Sequence, residues 1–151
     1  MPVRTKSTLG ALLWRVLDVV AGMLGLLAVL RGVVGLAGKL YMLFAAWVLG
    51  GDPGGPSARG TLVSGDFVPV TSVVLAGAVL VALCVASLLR RSQSIIHPFL
   101  GALVAVAAFL ILRVHDYDGW VGPESAWLLA AAAVVNAIHF LWKGTRAVLL
   151  R

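Results

Sequence analysis

Four polar residues that can carry chemistry lie inside long apolar stretches of the sequence. Asp18 and Arg31 interrupt the first stretch, whereas Asn136 and His139 interrupt the last. Asn136 and His139 are three residues apart and share one face of a helix, which Lys143 continues. Ionisable side chains in such positions are rare and mark ion pathways or internal polar networks. The pattern predicts that Arg31 meets Asn136 and His139, as a structural network or as a permeation path.

Other chemical features of the sequence are weaker. Cys84 is the only cysteine, so neither an intramolecular disulfide nor a thiolate cluster is expected. His97 and His139 are expected at different depths, which argues against a shared haem. One loop offers ligands to a divalent cation but lacks the spacing of a calcium loop; its members are His115, Asp116, Asp118 and Glu124. Since P-loop, dinucleotide, nucleophile-elbow and HExxH motifs do not occur, the sequence predicts no metal, no cofactor and no enzymatic activity.

The composition is that of a membrane protein. The chain has 151 residues, of which 61% are hydrophobic and 12% charged, and its mean hydropathy is +1.03. A soluble domain is about 45–50% apolar and about 25% charged. The net charge of +6 does not indicate a nucleic-acid partner, because the basic residues lie at the ends of apolar runs and not on one soluble face. The expected partner is therefore the lipid bilayer.

Four apolar runs predict an all-α bundle of four transmembrane helices joined by short loops. The predicted spans are 16–38, 68–89, 95–112 and 125–142, each close to the length of about 20 residues that crosses a bilayer. The breaks between the runs, at 50–56, 90–94 and 116–123, are rich in Gly, Pro, Ser or charge and are typical of turns. The 151 residues are thus predicted to form a single membrane domain.

The first run, from Leu9 to Leu49, is too long for one span. We expect residues 40–49 to continue the first span as an interfacial segment, with a span at 30–49 as the alternative. Arg15 and Asp18 interrupt the run early, so a cleaved signal peptide is not expected, and on a helix these two residues are close enough to pair. Arg31, in contrast, has no acidic residue in another predicted span.

The distribution of charge predicts the orientation. Basic residues precede the first span, fill the break at 90–94 and follow the fourth span, whereas the breaks at 50–56 and 116–123 carry acidic residues. The positive-inside rule therefore places both termini in the cytoplasm and requires an even number of spans. The expected location is a cell membrane of the bacterial inner or plasma membrane type.

Small residues form a stripe on the first predicted helix. Ala11, Asp18, Gly25, Gly32 and Lys39 recur every seven residues, and two more glycines, Gly22 and Gly35, lie close to the same face. Glycine faces let membrane helices approach closely, because packing rather than hydrophobicity drives their association in lipid. The four glycines are predicted to pack against another helix of the same chain or of a second chain, unless the stripe reflects a glycine-rich composition alone.

These patterns favour a protein that acts through helix packing, either as a holin-like pore former that assembles with itself or as an accessory subunit of a membrane complex. The alternative is a small oligomeric channel or transporter that uses Asp18, Arg31, Asn136 and His139. The partners expected besides lipid are further copies of the chain or other membrane proteins. A membrane-embedded enzyme has only scattered His and Asp in its favour.

Overall fold

The computed structural model describes residues 5–48, 67–90, 94–115 and 121–149. They form four helices: α1 at Thr5–Val48, α2 at Phe67–Arg90, α3 at Ile96–His115 and α4 at Gly122–Leu149. All four are long and apolar enough to cross a membrane. The predicted all-α fold with four candidate spans is confirmed at this level, and the orientation of the termini stays a prediction.

The observed helices extend beyond the predicted spans. Helix α1 is continuous over 44 residues, with no break between the predicted span and the predicted interfacial segment up to residue 48. Helix α4 starts at Gly122, three residues before its predicted start. The predicted break at 50–56 lies outside the described residues, as do residue 49, residues 91–93 of the predicted break at 90–94 and residues 116–120 of the predicted break at 116–123.

Proline helps to define where the later helices begin. Pro69, Pro98 and Pro123 all lie in the first turn of their helices, where the missing amide proton has no helical partner to lose. In α3 the Ser94 hydroxyl also accepts a hydrogen bond from the Ile96 amide, 3.3 Å away, as an N-terminal cap. Helix α4 begins with Gly122, whose φ of 72° lies in the left-handed region.

The helices pack as a closed antiparallel ring in which α1 contacts α2 and α4, and α3 contacts the same two helices. Cross-helix partners fix the directions. Along α1, Asp18 meets Ser87 of α2 and His139 of α4, whereas Arg31 meets Glu124 near the start of α4. We call the end of the bundle where α1 and α3 begin the Asp18 end, and the opposite end the Arg31 end.

The interior of the bundle is built mainly from small residues. Six larger apolar side chains are buried, namely Val70, Val73, Leu80, Leu112, Val121 and Leu129. They are outnumbered by buried alanines and glycines, among them Ala21, Ala28, Ala76, Ala105, Ala108, Ala132, Gly22, Gly25, Gly32, Gly35, Gly77 and Gly101. Most larger apolar side chains of the four helices are exposed instead. This distribution brings the backbones close together and leaves a wide apolar surface for lipid.

Candidate functional site

A polar cluster is buried at the Asp18 end, where α1, α2 and α4 meet. The Asp18 carboxylate accepts a hydrogen bond from the Ser87 hydroxyl at 2.6 Å. Its other oxygen lies 3.1 Å from Nδ1 of His139, and the side chains of Asp18 and His139 are 16% and 1% exposed. A buried charge is tolerated only when it is paired or hydrogen-bonded. The two contacts therefore tie the first helix to the second and the fourth.

The contact with Asp18 indicates which ring nitrogen of His139 carries a proton. A carboxylate only accepts hydrogen bonds, so Nδ1 of His139 must carry a proton to donate to Asp18. Nε2 of His139 is buried and has no hydrogen-bond partner among the described residues. The imidazole also packs on the Trp14 ring, with the centroids 5.1 Å apart and the planes tilted by 34°. An aromatic face next to the ring accommodates either the neutral or the protonated imidazole.

Lys143 closes the cluster at its outer edge. Its ammonium group donates to the Ser94 carbonyl at 3.3 Å and lies 5.7 Å from the centroid of the Trp14 ring. Trp142 packs edge-on against Trp14, with the ring centroids 5.8 Å apart. The aromatic pair and the lysine thus lie between the Asp18–His139 pair and the end of the bundle.

A small cavity lies on the inner side of the cluster. Its volume is about 10 Å³, and its polar lining comes from Asp18, His97 and Asn136, with Leu80, Cys84 and Pro98 among its other walls. Nδ1 of His97 is buried without a hydrogen-bond partner among the described residues. A buried water needs about 10–15 Å³ and two to four polar partners. The cavity meets both conditions for one water molecule.

The Asn136 side chain packs directly against Gly101 of the third helix. Its amide nitrogen donates to the Ala132 carbonyl at 2.8 Å. A Cβ atom added at Gly101 would lie 2.6 Å from the Asn136 side-chain oxygen, so any larger residue at that position would displace the amide. The absence of a side chain at Gly101 therefore leaves the space that the buried Asn136 side chain occupies.

Arg31 is not part of this cluster, and the predicted network of Arg31 with Asn136 and His139 is wrong. Arg31 lies thirteen residues after Asp18, about 20 Å along the axis of α1. One of its terminal nitrogens is 2.6 Å from a Glu124 carboxylate oxygen, with the two side chains 47% and 62% exposed. The prediction failed because the fourth span was expected to start at residue 125, which left Glu124 in a loop. Helix α4 begins at Gly122 and so includes Glu124, the acidic partner that Arg31 lacked among the predicted spans.

Asp18, Asn136 and His139 are thus brought together, with Asp18 and Asn136 on one cavity wall and His139 paired to Asp18. The expected pairing of Asp18 with Arg15 is replaced by contacts to other helices. The sequence analysis missed Ser87, Gly101 and the role of Glu124. Glu124 was recoverable, since Gly-Pro-Glu before an apolar run combines a helix-start proline with an acidic first turn.

The predicted glycine face of α1 lies against α2. Added Cβ atoms at Gly22, Gly25 and Gly32 would lie 2.6, 2.7 and 2.5 Å from atoms of α2. At Gly25 the obstructing atoms include the Gly77 carbonyl oxygen, 2.9 Å away, so the two backbones are in direct contact there. Gly35 is buried as well. This surface is therefore occupied within the chain.

Chemically, the cluster can hold a proton on imidazole next to a carboxylate and can order water. Within the described residues, no group of three or more His, Cys, Asp or Glu side chains is arranged to hold a metal ion. The sequence matches no protein-family model, and no curated protein or solved structure is similar to it. The function is therefore argued from the geometry of this chain.

Proposed function

We propose that this protein is a non-enzymatic membrane subunit that acts by packing its apolar flanks against partner helices in a membrane assembly. The observation that carries the proposal is the placement of polar side chains. Among the described residues, the exposed polar or charged side chains are confined to the two ends: Arg15 and Thr145 at the Asp18 end, and Arg31, Tyr41, Thr71, Arg113, His115 and Glu124 at or beyond the Arg31 end.

The outer surface between these ends supports packing rather than pore formation. From Val16 to Leu30 on α1, and over the matching turns of the other helices, every exposed residue is apolar. This band is about 24 Å high, counted from Arg15 to Arg31 at 1.5 Å per residue, close to a hydrocarbon core of about 30 Å. A pore built between several copies needs a polar lining, which this surface does not offer.

The interior supports the same choice. Buried apolar residues fill the bundle between the Asp18 cluster and the Arg31 end, among them Ala28, Val73, Ala108 and Leu129. The glycine face of α1 is already packed on α2, so it does not favour self-assembly through that face. Of the two roles expected from the sequence, an accessory subunit is favoured over a holin-like pore former.

Site-directed cross-linking in native membranes tests the proposal. In a Cys84→Ser background, single cysteines replace the exposed residues Leu75 on α2, Leu103 on α3 and Val134 on α4. We expect a discrete adduct of higher mass from the face that meets a partner and none from the opposite face. Monomer from all three variants would contradict the proposal.

The second candidate function is a small oligomeric channel or transporter, which the buried Asp18–His139 pair and its adjacent cavity favour. Reconstituted liposomes with an internal pH-sensitive dye distinguish the two candidates. An accessory subunit should give the proton flux of empty liposomes. Flux that rises with the amount of protein, and that Asp18→Asn abolishes while the exposed Arg15→Gln does not, would establish transport instead.

A further inference from the structure

A second feature, at the opposite end of the bundle from the polar cluster, is an open groove on the outer surface between α1 and α4. Its volume is about 480 Å³, within the range of about 300–1,000 Å³ that is typical of ligand sites. The lining combines an ion pair with apolar side chains: Leu27, Arg31, Glu124, Trp127, Leu128 and Ala131.

The lining is ordered along the bundle axis. The Arg31–Glu124 pair lies at the end, where α4 begins. From there α1 and α4 run side by side into the apolar band, with Leu27 one turn below Arg31, and with Leu128 and Ala131 one and two turns below Glu124. The groove therefore has a charged head and an apolar body that points towards the centre of the membrane.

The head of the groove carries both signs of charge, and each side chain keeps free bonding capacity. The guanidinium of Arg31 has five N–H donors, and its contact with Glu124 uses one terminal nitrogen. The Glu124 carboxylate likewise engages Arg31 through one of its two oxygens. Arginine matches phosphate oxygens in geometry as well as charge, and a carboxylate prefers N–H donors that carry positive charge.

From this arrangement we infer that the groove binds one phospholipid whose headgroup carries a phosphate and a primary ammonium, as in phosphatidylethanolamine. The phosphate lies on Arg31 and the ammonium on Glu124, and an acyl chain follows Leu27, Leu128 and Ala131. Trp127, whose side chain is 75% exposed, lies at headgroup depth, where indole rings are favoured.

Charge complementarity selects this class over the other common phospholipids. A headgroup with a phosphate and no cation would place its net negative charge beside the Glu124 carboxylate. A choline headgroup carries a cation without N–H donors, so it cannot form a hydrogen bond with Glu124. Only an ammonium headgroup gives both members of the ion pair a matching partner.

Native mass spectrometry of the full-length protein, delipidated in detergent, tests the inference. The probes are phosphatidylethanolamine, phosphatidylglycerol and phosphatidylcholine with identical acyl chains. We expect phosphatidylethanolamine to bind about tenfold more tightly than phosphatidylcholine, the effect of one charge-assisted hydrogen bond. Glu124→Gln should remove this preference, whereas Arg31→Gln, which removes the contact to the phosphate that the three lipids share, should weaken the binding of all three.

Arg113→Gln is the matched control, because Arg113 is an exposed arginine at the same end that does not line the groove. It should keep the preference for phosphatidylethanolamine. Circular dichroism establishes that each variant keeps its helix content, and the charge-swapped pair Arg31→Glu with Glu124→Arg tests the site with the ion pair retained. Equal binding of the three lipids, a preference for phosphatidylglycerol, a preference that Glu124→Gln leaves unchanged, or an affinity that Arg31→Gln leaves unchanged would each overturn the inference.

Discussion

Replacing Gly77 by alanine tests the contact that holds the first two helices together. An added Cβ atom would lie 2.5 Å from the Gly25 carbonyl oxygen and 2.9 Å from the Val29 amide nitrogen. Cγ2 of Val29 lies 2.8 Å away and can move, but the other two obstructing atoms belong to the backbone of α1, so no side-chain rotation relieves the contact. Ordinary contact begins at 3.4 Å, and the helices must therefore separate locally by about 0.9 Å.

The expected cost follows from overpacking and helix propensity. Forcing one extra carbon into a close-packed interface costs about 1–3 kcal/mol, whereas replacing glycine by alanine inside a helix gains about 1 kcal/mol. Gly144→Ala is the matched control, because nothing lies within 4 Å of a Cβ atom added there. The propensity gain is the same in both variants, so their free energies of unfolding should differ by about 1–3 kcal/mol.

Equilibrium unfolding in mixed micelles, followed by circular dichroism, measures this difference. Gly22→Ala should fall between the two variants, because one of its two obstructing atoms, Sγ of Cys84 at 2.6 Å, can rotate away, whereas Cβ of Cys84 at 2.8 Å cannot. If Gly77→Ala proves as stable as Gly144→Ala, the direct backbone contact between α1 and α2 does not exist as described.

Three further measurements address the orientation, the buried pair and the core. A reporter fused after Arg151 should be cytoplasmic and one inserted in the loop before α4 exterior, and the reverse result would refute the orientation. Asp18→Asn should lower the free energy of unfolding by about 3 kcal/mol, because it leaves His139 buried without its carboxylate partner. The double variant with His139→Gln should lose less stability than the sum of the two single losses, and additive losses would contradict direct pairing. Leu129→Ala, at a fully buried position, should lower the free energy of unfolding by about 2 kcal/mol through lost packing. The exposed Leu103→Ala should lower it by less than about 0.5 kcal/mol, and equal losses would place Leu129 outside the core.

The sequence was sufficient to predict the helices because their signal is local. Runs of apolar residues separated by Gly, Pro and charge predicted four spans, and the described residues form four helices of that kind. The error at the start of α4 was small in length but large in effect, because three residues decided whether Glu124 belonged to a helix. Without Glu124, Arg31 was assigned to the wrong partners.

Helix partners were harder to predict for a physical reason. In water, hydrophobic residues mark the buried face of a helix, but in lipid both faces are apolar and the contrast disappears. Here large side chains such as Leu103 and Val134 are exposed, whereas Ala28 and Ala105 are buried. Residue size, rather than polarity, distinguishes the faces. That signal identified the glycine face of α1, but it does not say which helix the face meets or how the two are aligned.

Two of the charged residues of α1, Asp18 and Arg31, also have a consequence for biogenesis. Asp18 and Arg31 both find their ionic partners on α4, in His139 and Glu124, which the ribosome makes last among the four helices. At about 5–20 residues per second, His139 follows Asp18 by about 6–24 s. Until Glu124 is made, 15 residues before His139, the first helix carries an aspartate and an arginine whose ionic partners do not yet exist. The arrival of α4 is therefore the step that completes both ion pairs of α1, and a ribosome stalled before α4 leaves a nascent chain whose first helix lacks them.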